Sequence, residues 1–470
     1  MVNKIKKNGK RASTDRYFMI YLLPLSSQDI YTHECMNQRF SKKILLTVLL
    51  PLAIFSATAQ TLTLEEEFAL MPERSASNCL AYPTPTATQT PAPEGLKPFY
   101  LSHYGRHGSR YLTKIKDYDY AYDALKEASE EGKLTQLGES VLRRVSLLRE
   151  EAQNRWGDLT PVGGRQLQDI TRRMVDNYPE IFTDSAHIDA RSTLIPRCVL
   201  SLTYAVRQLT LMKPKAKMTF DATPHDMTFM NFQDKVLTSK EMVAKARQVY
   251  EDYCESHQCW QRMVGSLFND TAYINKEIDG EQLNYYLFRL AGSVQNTTLA
   301  NELTLYDIFT ADELAKNWRQ ENAYWYLGYS FSSVNSGKQP YVQRHLLRSI
   351  IQEADSCIRL SNPNVRLRFG HETILLPLIC LMGINGYDKT VSDLDQLDRQ
   401  GWINYRVFPM GGNIQLVFYR RNATDKDVFV KVLLNETEAR LPIKSKTAPY
   451  YRWSDVRAFY LDRLNAYHEE

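Results

Sequence analysis

Residues 98–110 read Pro-Phe-Tyr-Leu-Ser-His-Tyr-Gly-Arg-His-Gly-Ser-Arg. The first part, Pro98 to Ser102, is a short aromatic and apolar run, which predicts a buried strand. The part that follows, His103 to Gly108, is charged and turn-prone. Open α/β sheets present their ligand groups at the carboxyl ends of strands, so a strand feeding a charged loop predicts both a fold and a site. The same order recurs further on. Val365, Leu367 and Phe369 alternate with Arg366 and Arg368, and the run ends in Gly370-His371-Glu372. A helix is expected from Thr373 to Met382.

Working outward, residues 117–180 are mostly helical in pattern. Thr160-Pro161 reads as an N-cap followed by proline at the first helical position. His187 to Arg191 predicts a short strand, and Cys198 to Met212 a helix. Two late strands are expected at Gln415–Tyr419 and Val428–Leu434. Residues 213–350 are rich in Tyr, Phe, Trp and Met, with helical periods and few clear strands. The expected class is therefore α/β: a mixed central sheet flanked by helices, formed by residues 96–212 and 351–470. A mainly helical insertion, a cap, occupies 213–350. Residues 60–95, with their Pro/Thr-rich stretch 83–95, are expected to form an extended arm.

The chemistry concentrates in Arg106-His107-Gly108-Ser109-Arg110. By average residue usage, four such fixed positions arise in roughly one or two chains per thousand of this length. Arginines offer planar, permanently charged donors to a phosphoryl group. A histidine among them can attack phosphorus and carry it covalently. A second arginine cluster is Arg191-Ser192-Thr193-Leu194-Ile195-Pro196-Arg197. His371 can add a donor to phosphate, and Glu372 can protonate a leaving oxygen and then activate water. Lys114 and Lys116, just past the first box, are possible contacts to further phosphates, as is Arg191.

At these residues the chain resembles the histidine acid phosphatases, most closely the branch of multiple inositol polyphosphate phosphatases and secreted phytases. The RHGxR box matches at 106–110, the RST…R box at 191–197, and Leu159-Thr160-Pro161-x-Gly163 resembles the family's LTPxG turn. Phe369 to Met382 is similar to the branch's FGHAETLLPL…LM segment. The resemblance spans about 96–470. It implies His107 as nucleophile, Arg106, Arg110, Arg197 and His371 as phosphate holders, Arg191 in support, and no metal or organic cofactor. It implies a small phosphorylated substrate, an inositol phosphate above all. The third motif departs from the branch: Glu372 follows His371 directly and Thr373 stands where the branch has its acid. Glu372 remains the favoured acid because Thr cannot titrate near neutral pH, with Asp158 second. A sugar or general acid phosphatase of the same fold is the alternative, as is a phosphate-ester-binding protein that has lost turnover through the shifted acid.

The 470 residues are 43% hydrophobic and 24% charged, ordinary globular chemistry. The net charge of +4 comes from the first 59 residues, which hold nine of the 58 basic and three of the 54 acidic residues. The remainder has 49 basic and 51 acidic residues, which gives no support for nucleic-acid binding. Arg39, Lys42 and Lys43 precede the apolar run Ile44–Phe55, and Ala57-Thr58-Ala59 follows. This reads as a signal peptide over about 36–59, with residues 1–35 a start-site extension and Met36 the initiator. The run is short for a membrane span, so no stable anchor is expected after cleavage. The expected protein is a monomer in the periplasm or outside the cell. Six cysteines follow the leader, too few for a disulfide scaffold. Cys254 and Cys259 are close enough for one local bridge.

Overall fold

The structure is a computed structural model and describes residues 62–468 except residue 233. The leader lies outside the described residues. Eight strands form one sheet: β1 (Lys97–Arg106), β2 (His187–Ser192), β3 (Lys217–Asp221), β4 (Val365–Gly370), β5 (Asn413–Arg420), β6 (Phe429–Leu434), β7 (Thr437–Glu438) and β8 (Tyr450–Arg452). The order is β3-β2-β4-β1-β5-β6-β7, with β8 also paired to β6. The first four of these run parallel, while β5 and β6 turn the sheet antiparallel. The chain therefore inserts β4 between β1 and β2 after its long excursion. This sets the carboxyl ends of β1 and β4 side by side, with Arg106 opposite Gly370.

Side-chain alternation builds a core on each face of the sheet. Leu101, Val365, Leu367 and Val417 meet the helices Pro161–Asn177 and Pro196–Met212 on one face. Tyr100, Leu416, Phe418 and Val430 meet the helices Arg344–Leu360 and Glu372–Met382 on the other. Arg368 points to the second face and is buried, paired with Glu353 and bonded to Ser102 Oγ at 3.1 Å. A further core is built mainly from helices, among them Lys116–Glu130, Gln136–Glu151 and Gly280–Ser293.

Five expectations differ from the structure. His103 to Arg106 belong to β1, because that stretch is buried and paired with β4 on one edge and β5 on the other. A two-sided ladder overrides turn-prone composition there. Within 213–350, Lys217–Asp221 is an edge strand; its residues are mostly exposed, so no alternation marks it. The helical layer is also not confined to that insertion. Helices Lys116–Glu130 and Gln136–Glu151 pack on Gln261–Leu267 and Gly280–Ser293. The expected arm begins as helix: Thr63 and Glu66 form a capping box on Leu64–Leu70, whose Phe68 packs edge-on against Trp318 at 5.8 Å. A 3-10 helix, Pro72–Cys79, follows, and residues 83–92 carry no regular structure. Finally, Cys254 and Cys259 are free thiols.

Candidate active site

β1 ends at Arg106, and the chain then turns through His107-Gly108-Ser109-Arg110 across the carboxyl edge of the sheet. Two glycines let this loop lie on the first turn of helix Pro161–Asn177. A Cβ on Gly108 would stand 2.5 Å from the Gly163 carbonyl, and one on Gly163 would stand 2.2 Å from the Ser109 carbonyl. Thr160 N donates to that Ser109 carbonyl at 2.9 Å, and Gly108 N donates to Ser201 Oγ at 3.2 Å. Backbone contact thus couples the RHGxR box to the LTPxG turn.

The loop gathers His107, His371 and Glu372 with three arginines. The His107 and His371 rings meet edge-on with centroids 5.8 Å apart. His107 Nδ1 sits 2.8 Å from the Gly108 carbonyl, which accepts its proton and leaves Nε2 with the free lone pair. Nε2 is buried with no hydrogen-bond partner. Arg106 is fully buried; one Nη donates to the carbonyls of Asn78 (2.7 Å) and Phe408 (2.8 Å). Its Nε lies 3.0 Å from Glu372 Oε2, which is also 3.6 Å from His107 Nε2, while Arg110 lies 3.8 Å from Oε1. Arg197 comes from the first turn of helix Pro196–Met212. Thr193 Oγ1 is 3.1 Å from His371 Nε2, and the Cys198 thiol packs 3.5 Å from the same atom.

Burial and the arginines set the protonation states. Burial first, then Arg106 and Arg110, lower His107 to about 3, against the opposing pull of the nearby Glu372 carboxylate. Burial, with Arg197, Arg106 and Arg110, lowers His371 to about 4. Burial pushes the Glu372 carboxyl up, but Arg106, His107 and Arg110 outweigh it and hold it well below the usual carboxylate range. Two neutral histidines and a carboxylate within 4.8 Å of one another are also a possible metal-ligand set. The guanidinium groups crowded around them make the place hostile to a cation and attractive to an anion. Arg106 Nε and Nη2, Arg110 Nε and Arg197 Nε are buried without hydrogen-bond acceptors. A tetrahedral anion would supply them.

The structure brings together His107, Glu372, Arg106, Arg110, Arg197 and His371. Arg191 turns away into ion pairs with Asp189 (3.2 Å), Asp221 (3.5 Å) and Asp226 (3.6 Å). Neighbouring strand residues face opposite sides, so Arg191 cannot share the direction of Ser192. Lys114 and Lys116 are exposed, and the Lys116 ammonium lies over the rings of Tyr120 and Tyr286 at 5.5 and 5.7 Å. Asp158 is half exposed, 4.0 Å from Arg155. Sequence reading passed over Thr193 and Ser109, though both stand inside quoted boxes. It had no signal for Asn78, Phe408 or Asn296, whose contacts cross long stretches of chain.

The family model of the histidine phosphatase superfamily (branch 2) matches residues 105–435. The chain belongs to this superfamily. It is a phosphoric monoester hydrolase, and its boxes at 106–110 and 369–382 fall inside the matched span. A chicken (Gallus gallus) relative, multiple inositol polyphosphate phosphatase 1, is 23% identical over 412 residues, covering 82% of this chain and 86% of its own. The fold matches a Bifidobacterium longum multiple inositol polyphosphate phosphatase in complex with phosphate, with a TM-score of 0.71 and 16% identity over 82% of this chain and 97% of that one. It also matches the phytase from D. castellii, with a TM-score of 0.66 and 15% identity over 83% and 85% of the two chains. This histidine phosphatase thus carries the mixed sheet and helical layer of its structural neighbours.

Proposed function

We propose that the protein is a secreted phosphatase that hydrolyses inositol polyphosphates through a phosphohistidine. The observation that carries the chemistry is the pairing of an unbonded, neutral His107 Nε2 with arginine N–H groups that lack acceptors. A substrate phosphate seated on Arg106, Arg110 and Arg197 places phosphorus in front of Nε2. The Gly108 carbonyl holds the ring in the tautomer that attacks. The P–N bond forms as the P–O bond to the alcohol breaks, and positive charge on the imidazole is offset by the bound phosphoryl oxygens.

Glu372 answers the concern raised by its shifted position. Its carboxylate lies 3.6 Å from the nucleophile and beside Arg106 and Arg110, within reach of a phosphate ester held there. In the empty site it is paired with Arg106 and ionised. A phosphate dianion takes over the arginines and adds negative charge beside the carboxylate, and both effects raise its proton affinity. Substrate binding thus loads the acid. Glu372 then gives its proton to the departing alcohol oxygen, and as a carboxylate takes one from the water that cleaves the P–N bond. That returns His107 neutral and releases orthophosphate.

The inositol polyphosphate assignment draws on the similarity to inositol polyphosphate phosphatases and a phytase and on the arginine-lined site. Secretion draws on the leader sequence; among the described residues no helix is long and apolar enough to cross a membrane. The test is release of phosphate from inositol hexakisphosphate by the purified protein beside His107→Ala, with a search for phosphate on His107 by 31P NMR of protein denatured in alkali, where the P–N bond survives. Release by the wild type alone, with phosphohistidine in it, is expected. Equal release by His107→Ala overturns the mechanism. Turnover of an aryl phosphate but not of the hexakisphosphate overturns the substrate assignment.

A further inference from the structure

Five arginines carry a buried guanidinium nitrogen with no hydrogen-bond acceptor among the described residues: Arg106, Arg110, Arg197, Arg289 and Arg366. The first three form the site above. Arg366 is already matched by carboxylates, pairing with Asp189 and, at 3.6 Å, with Glu353. Arg289 is different. Its side chain is 16% exposed, and its nearest counter-charge is Asp117 Oδ1 at 3.6 Å, beyond hydrogen-bond distance. The other Asp117 oxygen already accepts from Lys114 N at 3.1 Å. Its charge is otherwise met by the Tyr285 ring, 5.4 Å away, and by the more distant Glu321. The guanidinium Nε of Arg289 is buried without an acceptor, and a charged donor left so is costly.

Arg289 is also near the phosphate site by construction of the fold. It lies on helix Gly280–Ser293, whose carboxyl end is fastened to the catalytic loop. Gly292 lets that end lie against residue 76, since a Cβ there would be 3.1 Å from the Ala76 Cβ. Asn296 then bridges the two sides: it donates to the Cys79 carbonyl at 2.6 Å and accepts from Ser109 Oγ at 2.5 Å. Asp117, 3.6 Å from Arg289, also accepts from the backbone of Lys114, four residues past Arg110, so Arg289 stands against the chain that leaves the catalytic loop. Arg289 therefore extends the cationic surface outward from Arg110 along the wall of the helical layer.

We infer that Arg289 binds a second phosphate of the substrate while the first occupies Arg106, Arg110 and Arg197, and so selects polyphosphates over monophosphates. This rests on the proposed function and names a residue that confers it. Lys114 and Lys116, first considered for such contacts, are exposed, whereas Arg289 is mostly buried.

The experiment measures inhibition of aryl phosphate hydrolysis by orthophosphate and by inositol hexakissulfate, in wild type, Arg289→Ala and Arg289→Lys. Orthophosphate probes the first phosphate place alone and reports whether each variant is intact. Arg289→Ala is expected to weaken the hexakissulfate at least tenfold more than it weakens orthophosphate. Arg289→Lys should recover part of that difference, because it restores charge without the planar fork. Equal weakening of both inhibitors, or none of either, overturns the assignment of Arg289. If the wild type itself binds the hexakissulfate no better than inorganic sulfate, the polyphosphate reading falls, and the Arg289 assignment with it.

Discussion

Replacing Glu372 by glutamine separates the two things this carboxylate does. As a charge it sits 3.0 Å from Arg106, 3.6 Å from His107 and 3.8 Å from Arg110. At an effective dielectric of about 20, a unit charge pair at ~4 Å is worth about 4 kcal/mol. Glu372 therefore competes with phosphate for the same guanidinium groups. Glutamine removes the competitor, and most of the gain is offset because the arginines are left desolvated in the empty site. A net relief of about 1–2 kcal/mol corresponds to orthophosphate binding ~5–30-fold tighter. As an acid, Glu372 contributes about 10²–10⁴-fold to a step with a poor leaving group. An alcohol of inositol needs that proton, whereas nitrophenolate leaves readily without it. Glu372→Gln should therefore lose hexakisphosphate turnover by that factor, retain much more of the nitrophenyl phosphate rate, and show stronger product inhibition. The assay is kcat for both substrates with the orthophosphate inhibition constant measured alongside. Equal losses on the two substrates would show that Glu372 does not protonate the leaving group. Weaker phosphate inhibition would show that it does not occupy the anion place.

Three further outcomes follow from the geometry. His371 is held neutral in the folded protein down to about 4, while in the unfolded chain it takes a proton near 6.5. The unfolded state then binds more protons between those values, so stability falls as pH drops through that window. His371→Gln should flatten this part of a Tm-against-pH curve. Gly108→Ala drives a Cβ to 2.5 Å from the Gly163 carbonyl. It should cost about 1–3 kcal/mol of stability in chemical denaturation and displace the nucleophile, with activity lost by more than stability alone explains. Arg191→Gln removes a guanidinium that faces Asp189, Asp221 and Asp226 rather than the site. It should leave the orthophosphate inhibition constant within about twofold and cost roughly 1 kcal/mol in denaturant titration.

The residues that touch a phosphate were legible because chemistry restricts them. Few sequences other than Arg106-His107-Gly108-x-Arg110 can place a histidine among cations at a strand end. The parallel strands β2 and β4 were legible for a similar reason, since burial forces their apolar pattern. β3 was not, because an edge strand with exposed side chains has no pattern to show. The helices Lys116–Glu130 and Gln136–Glu151 were recognised as helices, but their partners were not. An apolar stripe records that a face is buried and not which element buries it. Arg289 is the clearest case. Nothing near it in sequence distinguishes it from any surface arginine; only the fold buries its Nε and sets it 3.6 Å from Asp117.

Arg106 is gripped by two carbonyls, one from Asn78 and one from Phe408. The Asn78 side is fixed by Ser77, whose φ of 55° is unusual for a residue with a side chain, and whose hydroxyl is bonded to Asn404. These contacts link positions some 300 residues apart in the chain, with separations of 302 and 327 for the Arg106–Phe408 and Ser77–Asn404 bonds. Such closures are the slow, late events of folding. A chain still lacking its last sixty-odd residues has every arginine of the phosphate site and His371, yet its foremost guanidinium has only the Asn78 half of its clamp. Enzymatic competence is then a record that both ends of the polypeptide have found each other. In refolding, recovery of turnover should trail the recovery of helical signal.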